Sequence, residues 1–163
     1  MQSRNANSKQ VVIIGGGIIG LGIGWQLAKA GCHVSVYERD QAGRGASWAA
    51  AGMLSPLAEV NFDEKDLRQI GLTSSQMYPE WVRELEADSG MSVDFRTDGT
   101  LIIGLDRDDA EELRHLYELQ RALNLPVEWL TGREAREIEP SLSPRTTVAI
   151  SCASDLQVDN RLV

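Results

Sequence analysis

The sequence predicts an α/β fold that opens with a parallel βαβ unit, and three observations carry this prediction. Residues 11–14 form a short apolar run rich in β-branched side chains, and a glycine-rich turn follows them. Residues 18–30 then repeat apolar side chains at helical spacing, and residues 33–37 have the composition of a second strand. A strand, a turn, a helix and a strand in so short a stretch are typical of parallel strands joined by a right-handed crossover.

Local composition justifies each element of this unit. Residues 11–14 are continuously apolar, so the first strand is expected to be covered on both faces, as in a parallel sheet. The helix ends before Gly31, which stands where a left-handed residue commonly terminates a helix. The polar residues 1–9 are predicted to be a disordered tail. The apolar stripe of the helix consists of Ile19, Ile23 and Leu27.

The middle of the chain changes character. Residues 43–55 are small, apolar and rich in glycine, which suits neither a long helix nor a strand. Residues 63–89 have helical composition, in which Pro79 is expected to break or kink the helix and Gly90 to end it.

A hairpin is predicted next. Residues 93–96 and 101–105 flank Asp98-Gly99, a pair that supplies the positive backbone angles of a tight turn. Residues 108–123 then form an amphipathic helix. Its core candidates are Leu113, Leu116 and Leu123.

Three further signals follow toward the last residue. Thr131 and Glu134 form a capping-box pair that starts a short helix, and residues 148–152 have strand composition. Residues 159–160 are typical of an N-terminal cap for a helix in residues 161–163. Because one turn of helix lacks the packing that stabilises helices, the chain is expected to be the front part of a longer protein.

The charge and the cysteine content exclude several classes of protein. The 163 residues carry a net charge of −8, so the surface repels a phosphate backbone and no nucleic acid partner is expected. Cys32 and Cys152 lie far apart, match no metal-ligand spacing and are too few to stabilise a fold of this size. They indicate a reducing compartment and no metal site.

A signal peptide or a membrane span is the alternative for the first apolar stretch. Arg4 and Lys9 precede the apolar residues 11–28, as in such segments. The glycines make this stretch poorly hydrophobic, and it divides naturally into a strand, a turn and a helix. The protein is therefore expected to be soluble and cytoplasmic, without a membrane partner.

The turn of the βαβ unit has the spacing Gly15-x-Gly17-x-x-Gly20. In this pattern the first glycine permits a sharp turn, the second lets the backbone approach a diphosphate without a Cβ in the way, and the third lets the helix lie close on the strand. The helix that starts near Ile18 directs its free amides and the positive end of its dipole to the same point. The pattern predicts a dinucleotide site; a purely structural glycine cluster is the alternative.

The residues after the turn bear on which dinucleotide would bind. Glu38 ends the second strand 18 residues beyond Gly20, where a carboxylate accepts hydrogen bonds from both hydroxyls of an adenosine ribose. The same carboxylate would repel a 2′-phosphate, which argues against NADP. The glycines alone do not separate NAD from FAD. Residues 43–56 have a shape that lies along an extended cofactor, although a simple connector has the same composition.

Two stretches carry a specific resemblance to a known family. VVIIGGGIIGLGIGWQLAKAGCHVSVYERD, followed by GRGASWAAAGMLSPLAE, resembles the FAD-dependent amine oxidases of the D-amino acid oxidase superfamily. The AAAGML run looks most like the glycine oxidases of thiamine biosynthesis. VDFRTDGTLIIGL and SDLQVDNRLV are similar to that family too, so the resemblance covers nearly the whole chain but only part of the family enzyme.

The resemblance implies a domain organisation. A Rossmann-like FAD-binding domain would be interrupted by an α+β substrate domain. Residues 10–87 would be the first part of the FAD-binding domain, and residues 88–149 the first part of the substrate domain. Residues 150–163 would return into the FAD-binding domain.

The resemblance also implies which residues contact FAD in addition to the three glycines. Ala46 and Trp48 stand where family members often carry hydroxyls, which argues against side-chain contacts there. The matching positions are Ile18 and Ile19 over the pyrophosphate, Glu38 and Arg39 at the adenosine side, Ala46 and Ser47 at a phosphate or the ribityl chain, and Ala51, Gly52 and Met53 beside the flavin ring.

The implied activity is the oxidation of glycine, and less selectively of sarcosine or small D-amino acids. The product imine hydrolyses to a 2-oxo acid and ammonia, and oxygen is reduced to hydrogen peroxide. The arginine and tyrosines of the family's substrate site lie in its later half, so no residue here is assigned a catalytic role. Two alternatives stay open: a D-amino acid dehydrogenase that passes electrons to a quinone, and a non-catalytic chain that binds FAD weakly or not at all. A homo-oligomer is left open for the whole enzyme.

Overall fold

The structure is a computed structural model that describes residues 9–61 and 64–163. Residues 1–8 of the predicted tail and the predicted helix start at Asp63 lie outside the described residues. The chain divides into two compact units. Gly52–Leu162 form the second unit, and the described residues before Gly52 form the first together with Val163.

The first unit contains the predicted βαβ arrangement. Its strands are parallel and in register from Gln10 opposite His33 to Ile14 opposite Tyr37. A single-turn helix follows in the glycine-rich segment, which agrees with the prediction that this segment holds neither a long helix nor a long strand. The elements are β1 (Gln10–Ile14), α1 (Ile18–Lys29), β2 (His33–Tyr37) and α2 (Ala46–Ala49).

Only one face of β1 is covered, contrary to the expectation from its continuous apolar run. Val11 and Ile13 are half-buried, whereas Val12 and Ile14 are exposed, Ile14 by 89%. The covered face lies against α1, where an added Cβ on Gly24 would meet the Cδ1 atom of Ile13 at 3.4 Å. In the described part of the first unit, α1 covers one face of the two-stranded sheet. The other face of the sheet is apolar and exposed.

The second unit contains two antiparallel sheets. In the larger sheet β6 lies between β4 and β5, and in the smaller one β3 pairs with β7. The elements are β3 (Met53–Leu54), α3 (Lys65–Ser89), β4 (Thr100–Gly104), α4 (Arg107–Ala122), β5 (Glu128–Thr131), α5 (Gly132–Ile138), β6 (Val148–Cys152) and β7 (Leu156–Gln157).

The core of the second unit joins α4 to the larger sheet. Ile150 and Cys152 of β6 are fully buried, and Leu113 and Leu119 of α4 pack in the same cluster. The predicted core residues Leu116 and Leu123 pack against it. The predicted capping box is confirmed, because the Thr131 side chain accepts from the Glu134 amide and the Glu134 carboxylate accepts from the Thr131 amide.

The predicted hairpin around Asp98-Gly99 is wrong. Residues 100–104 pair with β6, and Arg96 instead forms an isolated bridge with Gln157. The favoured two-residue turn needs a positive φ at both central residues, but of this pair only Gly99 has one, at 82°. An added Cβ on Gly99 would lie 2.9 Å from the Cα atom of Ala153, so this glycine permits a close chain contact.

Two smaller expectations also differ from the structure. Of the break or kink expected at Pro79, the break does not occur, because α3 continues to Ser89. Interior proline costs about 3 kcal/mol in a helix. Close to it, Val82 is 2% exposed and the rings of Tyr78 and Trp81 are in contact. Near Val163 the Asp159 carboxylate accepts from the Arg161 amide as a cap would, but residues 160–162 form a turn and not a helix.

No helix within residues 9–61 and 64–163 combines the length and the apolar composition needed to cross a bilayer.

Candidate cofactor site

The turn between β1 and α1 is shaped by its glycines. Gly15 has a φ of 106°, which L side chains rarely adopt, and its amide donates to the Tyr37 carbonyl at 2.8 Å. An added Cβ on Gly20 would lie 2.0 Å from the Gly15 carbonyl oxygen, so only glycine lets α1 lie this close to the turn. The mechanical roles that the spacing assigns to these two glycines agree with this geometry.

Gly17 leaves the beginning of α1 open. It is the N-cap residue, with extended backbone angles (φ −79°, ψ 179°) and no side chain to cap the helix. An added Cβ would meet only the Ser47 Oγ atom, at 3.3 Å. Helix amides at such an end favour anions, because they carry unpaired N–H groups and the positive end of the helix dipole.

The Ser47 hydroxyl lies at this helix end. Its Oγ atom accepts from the Ile18 amide at 2.9 Å. Ile18, expected over the pyrophosphate, and Ser47, expected at a phosphate or the ribityl chain, are therefore in direct contact. Ser47 belongs to α2, which begins at Ala46. Beside it, the Arg44 guanidinium lies 3.6 Å from the centre of the Trp48 ring. The Ser47 hydroxyl and the first amide of α1 therefore lie together in the first unit.

The Glu38 carboxylate points back at the glycine turn. Its Oε2 atom accepts from the Gly16 amide at 2.7 Å, and its Oε1 atom accepts from the Asp40 amide at 3.1 Å. The Gly16 amide, followed by that of Asp40, lowers the pKa of the Glu38 carboxyl below its ordinary value. Each carboxylate oxygen can accept more than one hydrogen bond, so the ionised group retains capacity for the hydroxyls of a ribose. Arg39, the next residue in the chain, is exposed, and so is Ile19 of α1, by 76%.

Gly16 of the turn and Gly43 of the following loop were not among the predicted contacts. The motif treats Gly16 as a variable position, yet an added Cβ there would lie 3.2 Å from the Cβ atoms of both Glu38 and Ala42. The Gly43 amide donates to the Gly16 carbonyl at 2.8 Å and ties the following loop to the turn. The run of three consecutive glycines was the sequence feature that could have indicated that residue 16 has no room for a side chain.

The residues expected beside the flavin ring lie at the point in the sequence where the first unit ends and the second begins. Ala51 is the last residue of the first unit's continuous segment, and Gly52 and Met53 open the second. Gly52 has a φ of 76°, and an added Cβ would lie 2.0 Å from the Val158 carbonyl oxygen. Met53 pairs with Gln157 and is 48% exposed. Contact with the Val158 backbone is thus sufficient to explain why residue 52 is glycine.

The residues of the first unit fit a dinucleotide. Gly17 without a side chain offers room, the beginning of α1 offers positive potential, and the ionised Glu38 offers an acceptor for hydroxyls beside the same turn. FAD is the dinucleotide that the following comparisons indicate.

Comparisons with known proteins identify the family of this chain. The family model described as FAD dependent oxidoreductase matches residues 10–163. Glycine oxidase of Geobacillus kaustophilus is 36% identical over 133 residues, which are 82% of this chain and 35% of that protein. The bifunctional protein ThiO/ThiG of Synechocystis sp. is 42% identical over 156 residues, which are 94% of this chain and 22% of that protein.

Solved structures of glycine oxidases are similar to this chain in fold. The crystal structure of glycine oxidase from Geobacillus kaustophilus superposes with a TM-score of 0.87 at 33% identity, covering 94% of this chain and 42% of that one. Glycine oxidase from Bacillus cereus gives a TM-score of 0.84 at 28% identity, covering 95% of this chain and 41% of that one. This chain spans less than half the length of these relatives. Its mixed α/β fold and its sequence place it in the FAD dependent oxidoreductase family, whose cofactor is FAD.

Proposed function

We propose that the whole protein is an FAD-dependent amino acid oxidase that acts on glycine, and less selectively on sarcosine and small D-amino acids. The names of the relatives, glycine oxidase and ThiO/ThiG, support this substrate class and a role in making the thiazole of thiamine. The products would be a 2-oxo acid, ammonia and hydrogen peroxide. The Gly15–Gly20 turn with the Glu38 carboxylate directed at it is the observation that carries the proposal.

The described residues would bind and orient the cofactor. The beginning of α1, at Ile18 and Ile19, would lie over the diphosphate, next to Gly15, Gly17 and Gly20. Glu38 would accept from the ribose hydroxyls, with Arg39 at the adenosine. Bound FAD supplies the acceptor for the hydride of the substrate amine. The proposed contacts nearer the flavin ring are Ala46, Ser47, Ala51, Gly52 and Met53.

The proposed organisation of the protein follows the family. Residues 10–87 and 150–163 would belong to the FAD-binding domain, and residues 88–149 to the substrate domain. The first unit, with its parallel strands and glycine turn, supports the Rossmann-like assignment of the opening segment. The cytoplasm is the proposed location.

Substitution of Gly17 by valine tests the diphosphate site directly. The extended backbone at Gly17 suits valine, so Gly17→Val places a side chain in the site without backbone strain. We expect FAD affinity, measured by fluorescence titration of the full-length apoprotein, to fall by at least roughly a hundredfold, which corresponds to about 2.8 kcal/mol.

Gly31→Asn is the matched control. It changes a glycine with a φ of 85° and nothing within 4 Å at the other end of α1, and asparagine tolerates that conformation. Equal FAD affinity in the Gly17→Val and Gly31→Asn proteins would contradict the site. A peroxide assay with oxygen as the sole acceptor tests the reaction; reduction of a quinone without peroxide would contradict the oxidase assignment.

A further inference from the structure

A buried carboxylate binds the backbone that follows Gly52 and Met53. Asp155 lies between β6 and β7 and is fully buried. Its two oxygens accept from consecutive amides, those of Leu57 at 3.1 Å and Ala58 at 3.2 Å. The carboxylate thus acts as the cap of a single helical turn that lies almost 100 residues earlier in the chain.

A buried amide binds the same stretch from another side. Gln120 of α4 is fully buried, and its Nε2 atom donates to the Leu57 carbonyl at 2.9 Å. Both backbone groups of Leu57 are therefore bound by side chains from distant elements. We call Asp155 and Gln120 the polar clamp, and residues 55–58 the clamped segment.

The polar clamp is a costly way to obtain stability alone. A buried charge loses its hydration, and well-packed apolar side chains of similar volume often stabilise a core at least as well. Burial raises the pKa of the Asp155 carboxyl, and the nearby Glu59 charge adds to this effect, while hydrogen bonds from the Leu57 and Ala58 amides and the Thr100 side chain oppose it. The clamp also fixes the directions of two backbone amides and one carbonyl. Apolar packing does not fix such directions.

The clamped segment continues directly from the residues proposed to lie beside the flavin. The Val158 amide donates to the Gly52 carbonyl at 3.0 Å, and Met53 pairs with Gln157. Residues 52–58 are therefore fixed at both ends by residues 155–158. Ser55 and Pro56 also form part of the wall of a cavity of about 270 Å³, opposite Gly71 and Tyr78 of α3.

We propose that Asp155 and Gln120 are positioning residues for the flavin: they hold residues 52–58 in the shape in which Gly52 and Met53 meet the ring. This inference rests on the proposed function. Neither residue would touch the reacting atoms, and both would act through the backbone of the clamped segment.

Asp155→Asn in the FAD-loaded, full-length protein is the test. Asparagine keeps the shape but replaces one acceptor by an N–H₂ group that faces an amide donor. We expect FAD to bind about tenfold more weakly, and the visible circular dichroism of the bound flavin to change. We expect kcat to fall more than KM changes. Gln120→Met, which removes the donor to Leu57 while keeping an unbranched side chain, is expected to alter the same signals in the same direction.

Asp106→Asn provides the matched control. The Asp106 carboxylate also accepts from two neighbouring amides, those of Asp108 and Asp109, but it caps the exposed beginning of α4. We expect this variant to lower the melting temperature of the protein without changing the flavin spectrum or the affinity for FAD.

The two hypotheses fail in different ways. A wild-type protein that does not bind FAD would contradict the proposed function. A wild-type protein that binds FAD, with clamp variants that alter the flavin signals no more than Asp106→Asn does, would overturn the positioning role alone. If Asp155→Asn does not fold, Gln120→Met decides the question by the same signals.

Discussion

The two units of this chain differ in how they treat apolar surface. In the second unit Ile150 and Cys152 are fully buried beneath α4. In the first unit the strand that leads to the glycine turn leaves Ile14 exposed by 89% and Val12 by 63%. The second unit therefore completes a core from its own residues, whereas the described part of the first unit covers its sheet on one face only.

The beginning of α1 also differs from those of α4 and α5. α4 and α5 have side-chain caps, supplied by Asp106 and Thr131. α1 begins at Gly17, which has no side chain, and its Ile18 amide donates to the Ser47 hydroxyl of α2. α1 thus has no side-chain cap of its own at the place where we propose that the diphosphate binds.

Removing the side chain of Ile150 gives the largest expected effect on this comparison. Ile150→Ala should lower the free energy of unfolding by about 2 to 5 kcal/mol, because it opens a cavity in a filled core. Ile14→Ala removes the same side chain from the exposed strand face and should change stability by no more than about 0.5 kcal/mol. Urea unfolding followed by circular dichroism measures both, and equal losses would remove the contrast between the units.

The cap of α5 gives a smaller expected effect. Thr131→Ala removes the hydroxyl that accepts from the Glu134 amide and should cost about 1 kcal/mol of stability. Thr131→Ser retains a hydroxyl and serves as the control in the same urea experiment. A loss in the serine variant as large as in the alanine variant would show that the cap is not the cause.

The pH dependence of stability should have opposite signs in the two units. The pKa of Glu38 is lowered by the Gly16 amide, so its stabilisation is present above the ordinary pKa and is lost as pH falls through the lowered value. Burial raises the pKa of Asp155, so the folded protein binds this proton more tightly, and stability falls as pH rises between the ordinary and the raised value.

Glu38→Gln and Asp155→Asn separate these two contributions. Urea unfolding between about pH 3 and pH 6, where carboxyls titrate, should show each variant losing the slope of its own group. Slopes of the same sign for both residues would contradict the assignment.

Local signals explain what the sequence could predict. The βαβ unit, Gly15 and Gly20, the capping box at Thr131 and the leucines of α4 all depend on residues close together in the chain. The hairpin around Gly99 failed because strand pairing is decided by distant partners, here residues 148–152 and Gln157.

The polar clamp was beyond prediction for the same reason. Asp155 and Leu57 are 98 residues apart, and an acidic residue near a turn gives no sign of its partner. Gly52 shows the converse case: the sequence marks the glycine, but only the structure shows the Val158 carbonyl that requires it. The contacts of Gly52 and Met53 with FAD stay predictions.

The pairing of β3 with β7 sets an order for folding during synthesis. The βαβ contacts of the first unit lie within residues 10–37, so they become available early on the ribosome. Met53 and Leu54 find their partners only when residues 156–157 have been made, about a hundred residues later. Contacts of such long sequence separation form slowly, so we expect residues 52–58 to be among the last parts of this chain to reach their final conformation.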